Sequence, residues 1–398
     1  MIAIAGLAFL VLIHEAGHFF ASLAVGMRPR KFYVGFPPVL AKVTRNGIEY
    51  GLGAIPFGGY VRIPGMHRPA AKDVDHVFSR ALHDAPELIG PAERLKRALA
   101  AEAYDTAKIR LAEFKQRAEE LGVTSADKHI VDLEDALSPQ AYWRAPTWKR
   151  VVAIAAGPVT NLVFAVVLFA CVFMVAGWSA TTKVAVVLHK SQAAAAGLKS
   201  GDQVIEINGS PVTANQISDR INSSRGRPVT LTVVTPGGQV TTLKPERPIK
   251  DSDGRYRLGF GLAGQPLSVG PAIWQSIKTT GYVARDTGKA LGGIFQSKGR
   301  GQIGGPVGIG RTAADAVHYG WASYLSVLAF ISLSLALFNL LPLLPLDGGH
   351  IAFALLEGIR GRAIAREIYE RVSAVGITIV LLLFIVGLSN DVGRLGGG

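Results

Sequence analysis

Four stretches of this chain are apolar enough and long enough to cross a lipid bilayer, and they constrain its fold more than any other feature. They run from about Ile2 to Val25, Val151 to Trp178, Tyr324 to Leu346 and Val372 to Leu388. Each supplies roughly the 20 residues that a hydrocarbon core requires. Nearly half of the 398 residues are hydrophobic, too many for an ordinary soluble enzyme of this length. The first stretch has no positive n-region and no A-x-A cleavage site, which argues against a discarded signal peptide.

Charge orients the spans. The net charge is +13. No basic patch interleaved with aromatics accompanies it, so nucleic acid is not an expected partner. The basic clusters "RPRK" (Arg28 to Lys31), Lys149 with Arg150, and "IRGRAIAREIYER" (Ile359 to Arg371) all fall on one side if the N-terminus is outside. Lys and Arg stay cytoplasmic, so that is the expected topology. Ser179 to about Gly320 is then extracytoplasmic. The single cysteine, Cys171, excludes an intrachain disulfide.

Between the first and second spans, "NGIEYGLGAIPFGGYVRIPG" (Asn46 to Gly65) alternates in polarity and is glycine-rich, the pattern of a hairpin. "AIPFGGYV" is apolar enough to dip into the membrane. That is tolerable only where its backbone groups pair with protein or with a polypeptide substrate. Ala92 to Leu121, charged and free of Gly and Pro, is expected as one helix. Its stripe of Ala100, Tyr104, Ala107, Leu111, Phe114, Ala118 and Leu121 would pack on a partner helix, His129 to Leu137 being one candidate and a second copy another. In the exported part, Lys183 to Leu262 gives strands, turns at Gly201-Asp202, Asn208-Gly209 and Gly237-Gly238, and a helix over Ile217 to Ser224. That succession, and "AGLKSGDQVIEING" in particular, resembles a PDZ domain. Such domains bind extended peptides by strand addition.

The first span carries "LIHEAGHFF" (Leu12 to Phe20). Ionisable groups in hydrocarbon are costly and functional by default. Residues four apart share a helix face, so His14 and His18 can turn two imidazoles toward one ion, with Glu15 beside them. H-E-x-x-H is the spacing of zinc metalloproteases, in which the glutamate is the general base. A third ligand is required. Asp347, in "FNLLPLLPLDGGH" (Phe338 to His350), is the best candidate. Prolines 342 and 345 and glycines 348 and 349 break the helix there, and an aspartate at that depth needs a cation. His350 is a rival. His67, His76, His83, His129, His189 and His318 have no such company and are expected as ordinary loop or surface histidines.

Together with "FGGYV" (Phe57 to Val61), "GPVTN" (Gly157 to Asn161), "GPVGI" (Gly305 to Ile309) and "NLLPLLPLDGGH" (Asn339 to His350), these residues resemble the site-2 protease family of intramembrane zinc metalloproteases, in its bacterial RseP-like, PDZ-containing branch. The resemblance spans nearly the whole chain. It implies one Zn2+ per chain on His14, His18 and Asp347, with Glu15 catalytic. Asn339 would hold the substrate backbone or the developing oxyanion. Phe57, Gly58, Gly59 and Tyr60 would clamp the substrate as an added strand. It also implies a multi-pass protein of the bacterial inner membrane whose active site faces the cytoplasmic side. Its substrates would be single-span proteins of the anti-sigma-factor kind or signal-peptide remnants, cut first outside by a site-1-type protease, with the PDZ domain as a size filter. Two departures stand out: a single PDZ-like module, and a long helical cytoplasmic segment from Pro69 to Ala141.

The expected fold is a polytopic α-helical membrane protein of about four transmembrane helices, with an inserted β-rich PDZ domain and a membrane-associated β-hairpin. Its segments are 1–27 (first span), 28–65 (hairpin), 66–148 (helical insertion), 149–178 (second span), 179–265 (PDZ), 266–321 (amphipathic linker), 322–350 (third span), 351–371 (cytoplasmic loop) and 372–398 (fourth span and tail). Two other functions compete. A non-catalytic membrane PDZ receptor would show no metal dependence. A metal transporter would need a polar path through several helices, which the second and fourth spans lack.

Overall fold

A computed structural model describes residues 2–177, 179–251, 254–293, 305–318, 320–364 and 366–396. In chain order its elements are α1 (Ile2–Ala24), β1 (Lys31–Arg45), β2 (Ile48–Arg62), α2 (Ala71–Val77), α3 (Ser79–Asp84), α4 (Ile89–Ala100), α5 (Tyr104–Glu120), α6 (Asp127–Ala136), α7 (Thr147–Val175), β3 (Ser179–Val187), α8 (Gln192–Ala196), β4 (Gln203–Ile207), β5 (Ser210–Pro211), α9 (Ala214–Ser223), β6 (Leu231–Val234), β7 (Val240–Thr242), β8 (Ile249–Lys250), β9 (Tyr256–Arg257), β10 (Phe260–Gln265), α10 (Val269–Gly293), α11 (Pro306–His318), α12 (Trp321–Asn339), α13 (Asp347–Arg360) and α14 (Arg366–Gly396). Four of these helices, α1, α7, α12 and α14, are long and apolar enough to cross a membrane. The chain is thus a polytopic helical membrane protein with a β-rich region. Trp178, placed at the end of the second span by composition, lies outside the described residues.

The third apolar stretch is not one helix to Leu346. α12 stops at Asn339, and α13 begins afresh at Asp347. Pro342 and Pro345 lack the amide that a continuing helix needs, so the seven residues between become turns.

The chain divides into two compact units. The first comprises residues 1–163, 287–311 and 331–398. Its β1–β2 hairpin is longer than the alternation suggested. Asn46-Gly47 is the turn rather than the start, both residues having positive φ (52° and 74°), as a two-residue hairpin turn demands. Each arm is bent. Residues 31–34 pair with 49–52 on one side and with 59–62 on the other, while 39–45 pair with 48–53. The ribbon is therefore four segments wide, and Gly59–Arg62 is one of its edges.

The insertion also departs from a single helix. The chain turns at Ala101–Ala103, where Glu102 takes a positive φ of 52°, and α5 packs on α4. Ala107, Leu111, Phe114 and Ala118 of the stripe are buried against Ala92, Leu95 and Leu99 of α4 and Ile130, Leu133 and Leu137 around α6. The stripe finds its partners within its own chain. In the same unit, Asp391 of α14 accepts the Gly305 and Gly308 amides (3.1 and 2.8 Å), fixing the "GPVGI" segment at the start of α11.

The second unit comprises residues 164–286 and 312–330. Its antiparallel sheet runs β10-β3-β4-β6-β7, with β5 on β4. Val184, Val204, Ile207, Leu231 and Val233 of the sheet meet Ile217 and Ile221 of α9 in its core.

Candidate functional site

All the chemistry-bearing residues singled out in the sequence fall in the first unit. α1 places His14 and His18 one turn apart, with ring centroids 4.8 Å from each other. The break after α12 brings Asp347 to them as the first residue of α13. Asp347 Oδ2 lies 3.2 Å from His14 Nε2 and 3.3 Å from His18 Nε2, and the two Nε2 atoms are 3.2 Å apart. Among the described residues these three form the cluster able to hold a metal. His350 does not join it. Its Nδ1 is engaged by the Tyr369 hydroxyl instead.

Two contacts decide which ring atoms face the cluster. His18 Nδ1–H donates to the Ala153 carbonyl of α7 (3.0 Å). Asn161 Nδ2 lies 3.4 Å from His14 Nδ1, and its Oδ1 has no partner. Turned end for end, the amide would accept the His14 Nδ1–H on its oxygen. Ser332 of α12 holds the Asn161 carbonyl at 2.8 Å. Both imidazoles then present bare Nε2 lone pairs to a carboxylate oxygen that has no hydrogen-bond donor. Three such acceptors with no proton among them would repel one another unless a cation sat between them. The spacing fits zinc: tetrahedral ligands at about 2.0–2.1 Å from the ion stand about 3.3 Å apart. Two imidazoles and one carboxylate leave the fourth position open, as a catalytic zinc requires.

Gly157 of α7 makes room for the second histidine. A Cβ there would stand 2.2 Å from His18 Nε2. Asn161, Ala153 and Gly157 carried no individual role in the sequence. The one signal for Gly157 and Asn161 was the "GPVTN" motif, whose glycine and asparagine turn out to face the two histidine rings.

A cavity of about 540 Å³ surrounds the cluster. Glu15, Gly58, Gly59, Tyr60 and Asn339 all line it, as does His350. Gly59 packs against Glu15 Cγ. Tyr60 stacks on Tyr33 at 5.0 Å with the rings nearly parallel. The Phe57 side chain lies outside what is described. Arg30 N donates to Arg62 O (2.8 Å), so alternation along the strand turns the main-chain groups of Gly59 and Val61 the other way, toward the cavity. The hairpin edge facing the cavity thus has main-chain groups free of any strand partner. The hairpin itself is braced by Glu49, which accepts from Tyr33 Oη (2.7 Å) and Lys31 Nζ (3.1 Å). These partners hold the Glu49 carboxyl down at about 2, and the same bond with burial pushes the Tyr33 phenol up to about 12.

A His-His-Asp cluster with a glutamate beside it, set among apolar helices, is a donor set suited to a membrane-embedded metallopeptidase. The chain matches Peptidase family M50 over residues 2–383 and belongs to that family of zinc metalloproteases. It is 29% identical to the zinc metalloprotease RasP of Bacillus licheniformis over 97% of this chain and 96% of that one. It is 27% identical to the regulator of sigma-W protease RasP of Bacillus subtilis, again over 97% and 96%. RasP of Geobacillus kaustophilus is 28% identical over 96% and 95%.

Proposed function

We propose that the protein is an intramembrane endopeptidase that cuts transmembrane segments of single-span proteins. The observation that carries this reading is the convergence of His14 Nε2, His18 Nε2 and Asp347 Oδ2 at 3.2–3.3 Å, at the depth of an apolar helix. These three residues hold the zinc. A zinc held there would supply Lewis acidity for the scissile carbonyl and for a water. Glu15, on the neighbouring helical position, takes the proton of the attacking water and returns it to the leaving amine. The edge of Gly59–Val61 pairs with the substrate as an added strand, with Gly58 and Tyr60 flanking it. Unwinding a substrate helix breaks its internal hydrogen bonds, and edge pairing replaces them where no water is present. Asn339, at the last position of α12 and on the cavity wall, holds the substrate backbone or the developing oxyanion.

The basic clusters support an N-terminus outside a bacterial inner membrane, with the β-rich unit extracytoplasmic and the active site toward the cytoplasm. The antiparallel sheet with α9 against it supports a PDZ-like module that filters or binds exported ends. A relative named as a regulator of sigma-W protease supports substrates of the anti-sigma kind, trimmed first by a site-1-type protease.

The test is zinc content with cleavage. Wild type is expected to hold about one zinc per chain. Asp347→Ala loses it, His350→Ala keeps it, and Glu15→Gln keeps it while losing cleavage of a single-span reporter. Wild-type cleavage by Glu15→Gln removes the catalytic role of Glu15. A well-folded, zinc-free wild type removes the whole reading.

A further inference from the structure

Beside the metal centre lies a second cavity, of about 550 Å³, within the size range of ligand sites. Its walls come from the start of the insertion, from Tyr142 and Trp143 ahead of α7, from α13, and from the start of α14. Met66 and His350 line both this cavity and the one around His14, His18 and Asp347, so the two adjoin.

The hairpin leads from one to the other. Gly58–Ile63 line the metal-centre cavity, and the same strand continues through Pro64 and Gly65 to Met66–Lys72, which line the second. The link is fixed by main-chain bonds: Tyr142 N donates to Pro64 O (2.9 Å) and Trp143 N to Gly65 O (3.0 Å). A chain paired with the Gly59–Val61 edge and continuing in that direction arrives in the second cavity.

Residues of its wall hold unused, buried donors. Tyr142 is 4% exposed and its hydroxyl has no partner. Arg150 is 8% exposed and its Nε has no partner, although its Nη1 meets Glu357 at 2.5 Å. Glu357 is itself fully used, its other oxygen accepting Ile364 N at 2.8 Å. A buried polar group left unpaired is costly, so a site that keeps several, Arg68 Nε among them, offers them to a ligand acceptor. The charges around them are already matched, Arg68 with Glu102 and Lys72 with Glu367. Recognition by net charge is therefore not what the cavity provides. It provides donors for uncharged acceptors such as main-chain carbonyls.

We propose that this cavity is a subsite for the substrate segment that flanks the scissile bond on the cytoplasmic side, held extended with its carbonyls on Tyr142 and Arg150. The proposal rests on the endopeptidase reading. It gives the Pro69 to Ala141 insertion a role in substrate binding, since its first residues and the end of α4 wall the subsite.

The test uses the full-length protein and a single-span reporter made with and without a ten-residue cytoplasmic flank. Ala100→Trp and Ala363→Trp fill the cavity from exposed rim positions. The ratio of kcat/KM for flanked over flankless reporter is expected to fall at least tenfold in both, with zinc content as the folding control. Tyr142→Phe is expected to raise KM for the flanked reporter about fivefold without lowering thermal stability, because the lost hydroxyl had no partner within the protein. A photo-crosslinker at Ala363 in the Glu15→Gln protein is expected to capture the flank. An unchanged ratio, or adducts only to the apolar segment, overturns the subsite. Failure of wild type to cut either reporter, with flank adducts still formed, sinks the endopeptidase reading and leaves the subsite standing.

Discussion

Replacing Gly157 with alanine puts one methyl group where the structure has no room for it. The new Cβ would lie 2.2 Å from His18 Nε2, 2.6 Å from Cε1 and 2.7 Å from Cδ2. Ordinary contact is about 3.5 Å, so the ring has to retreat by roughly 1 Å. The histidine has no slack in the other direction, because its Nδ1–H is tied to the Ala153 carbonyl on the same helix as Gly157. Metal–ligand distances tolerate about 0.2 Å. A 1 Å displacement therefore removes His18 as a ligand, and zinc affinity is expected to fall at least about 100-fold, or roughly 2.7 kcal/mol. The helix should not suffer, since alanine is favoured over glycine in a helix interior by about 1 kcal/mol. Zinc per chain is measured after dialysis against a series of buffered free-zinc concentrations, with helical content and melting followed on the same samples. A Gly157→Ala protein that folds and binds zinc as tightly as wild type refutes the placement of His18.

Three further outcomes are expected. In Gly51→Ala the new Cβ would lie 2.2 Å from the Tyr33 ring, pushing Tyr33 off Tyr60 and shifting the edge strand. KM for a single-span reporter should rise several-fold while zinc content stays at the wild-type level, and lost zinc instead would mean that the hairpin supports the metal site. The Glu49 pairings make hairpin stability pH-dependent. Its folded pKa is lowered to about 2, so its contribution is present above the unfolded value near 4.5 and disappears as pH falls through 2. Tyr33, raised to about 12, contributes below its unfolded value of 10 and loses that as pH rises through 12. Amide exchange at Tyr33 and Gly51 across pH 2–6 reads the acid limb, which Glu49→Gln should flatten. Phe114 is fully buried against Phe78, with ring centroids 4.6 Å apart. Phe114→Ala should cost about 3–5 kcal/mol and open the insertion to proteolysis.

The candidate ligands were legible because a membrane makes charge conspicuous. Two histidines four apart in an apolar run, and an aspartate behind two prolines, have few explanations in hydrocarbon, and the geometry brings all three together. Turns written with glycine were legible too, as at Asn208-Gly209, where both residues have positive φ. The turn that divides α4 from α5 was not. It is made by Ala101, Glu102 and Ala103, none of which is a usual turn residue, and what forces it is burial of both helices' apolar faces on each other. The partners of the histidines were also hidden. A main-chain carbonyl at Ala153 has no sequence signature, and Asn161 acts only because α7 lies beside α1 at that height.

One helix start connects these observations. Asp347 is the first residue of α13, so its position depends on where α12 is broken and on what fixes α13 at its other end. Ten residues on, Glu357 of the same helix binds Arg150 at the foot of α7. α7 in turn carries Ala153, Gly157 and Asn161, the groups that aim the two histidines. The three proposed metal ligands are thus referred to one element, α7, though they come from opposite ends of the chain. Breaking the Arg150–Glu357 pair would leave a charge uncompensated in a largely buried site and free α13 to move against α7. A ligand carboxylate that must stay within about 0.2 Å of its place would register that movement as weaker zinc binding, with His14 and His18 still correctly turned.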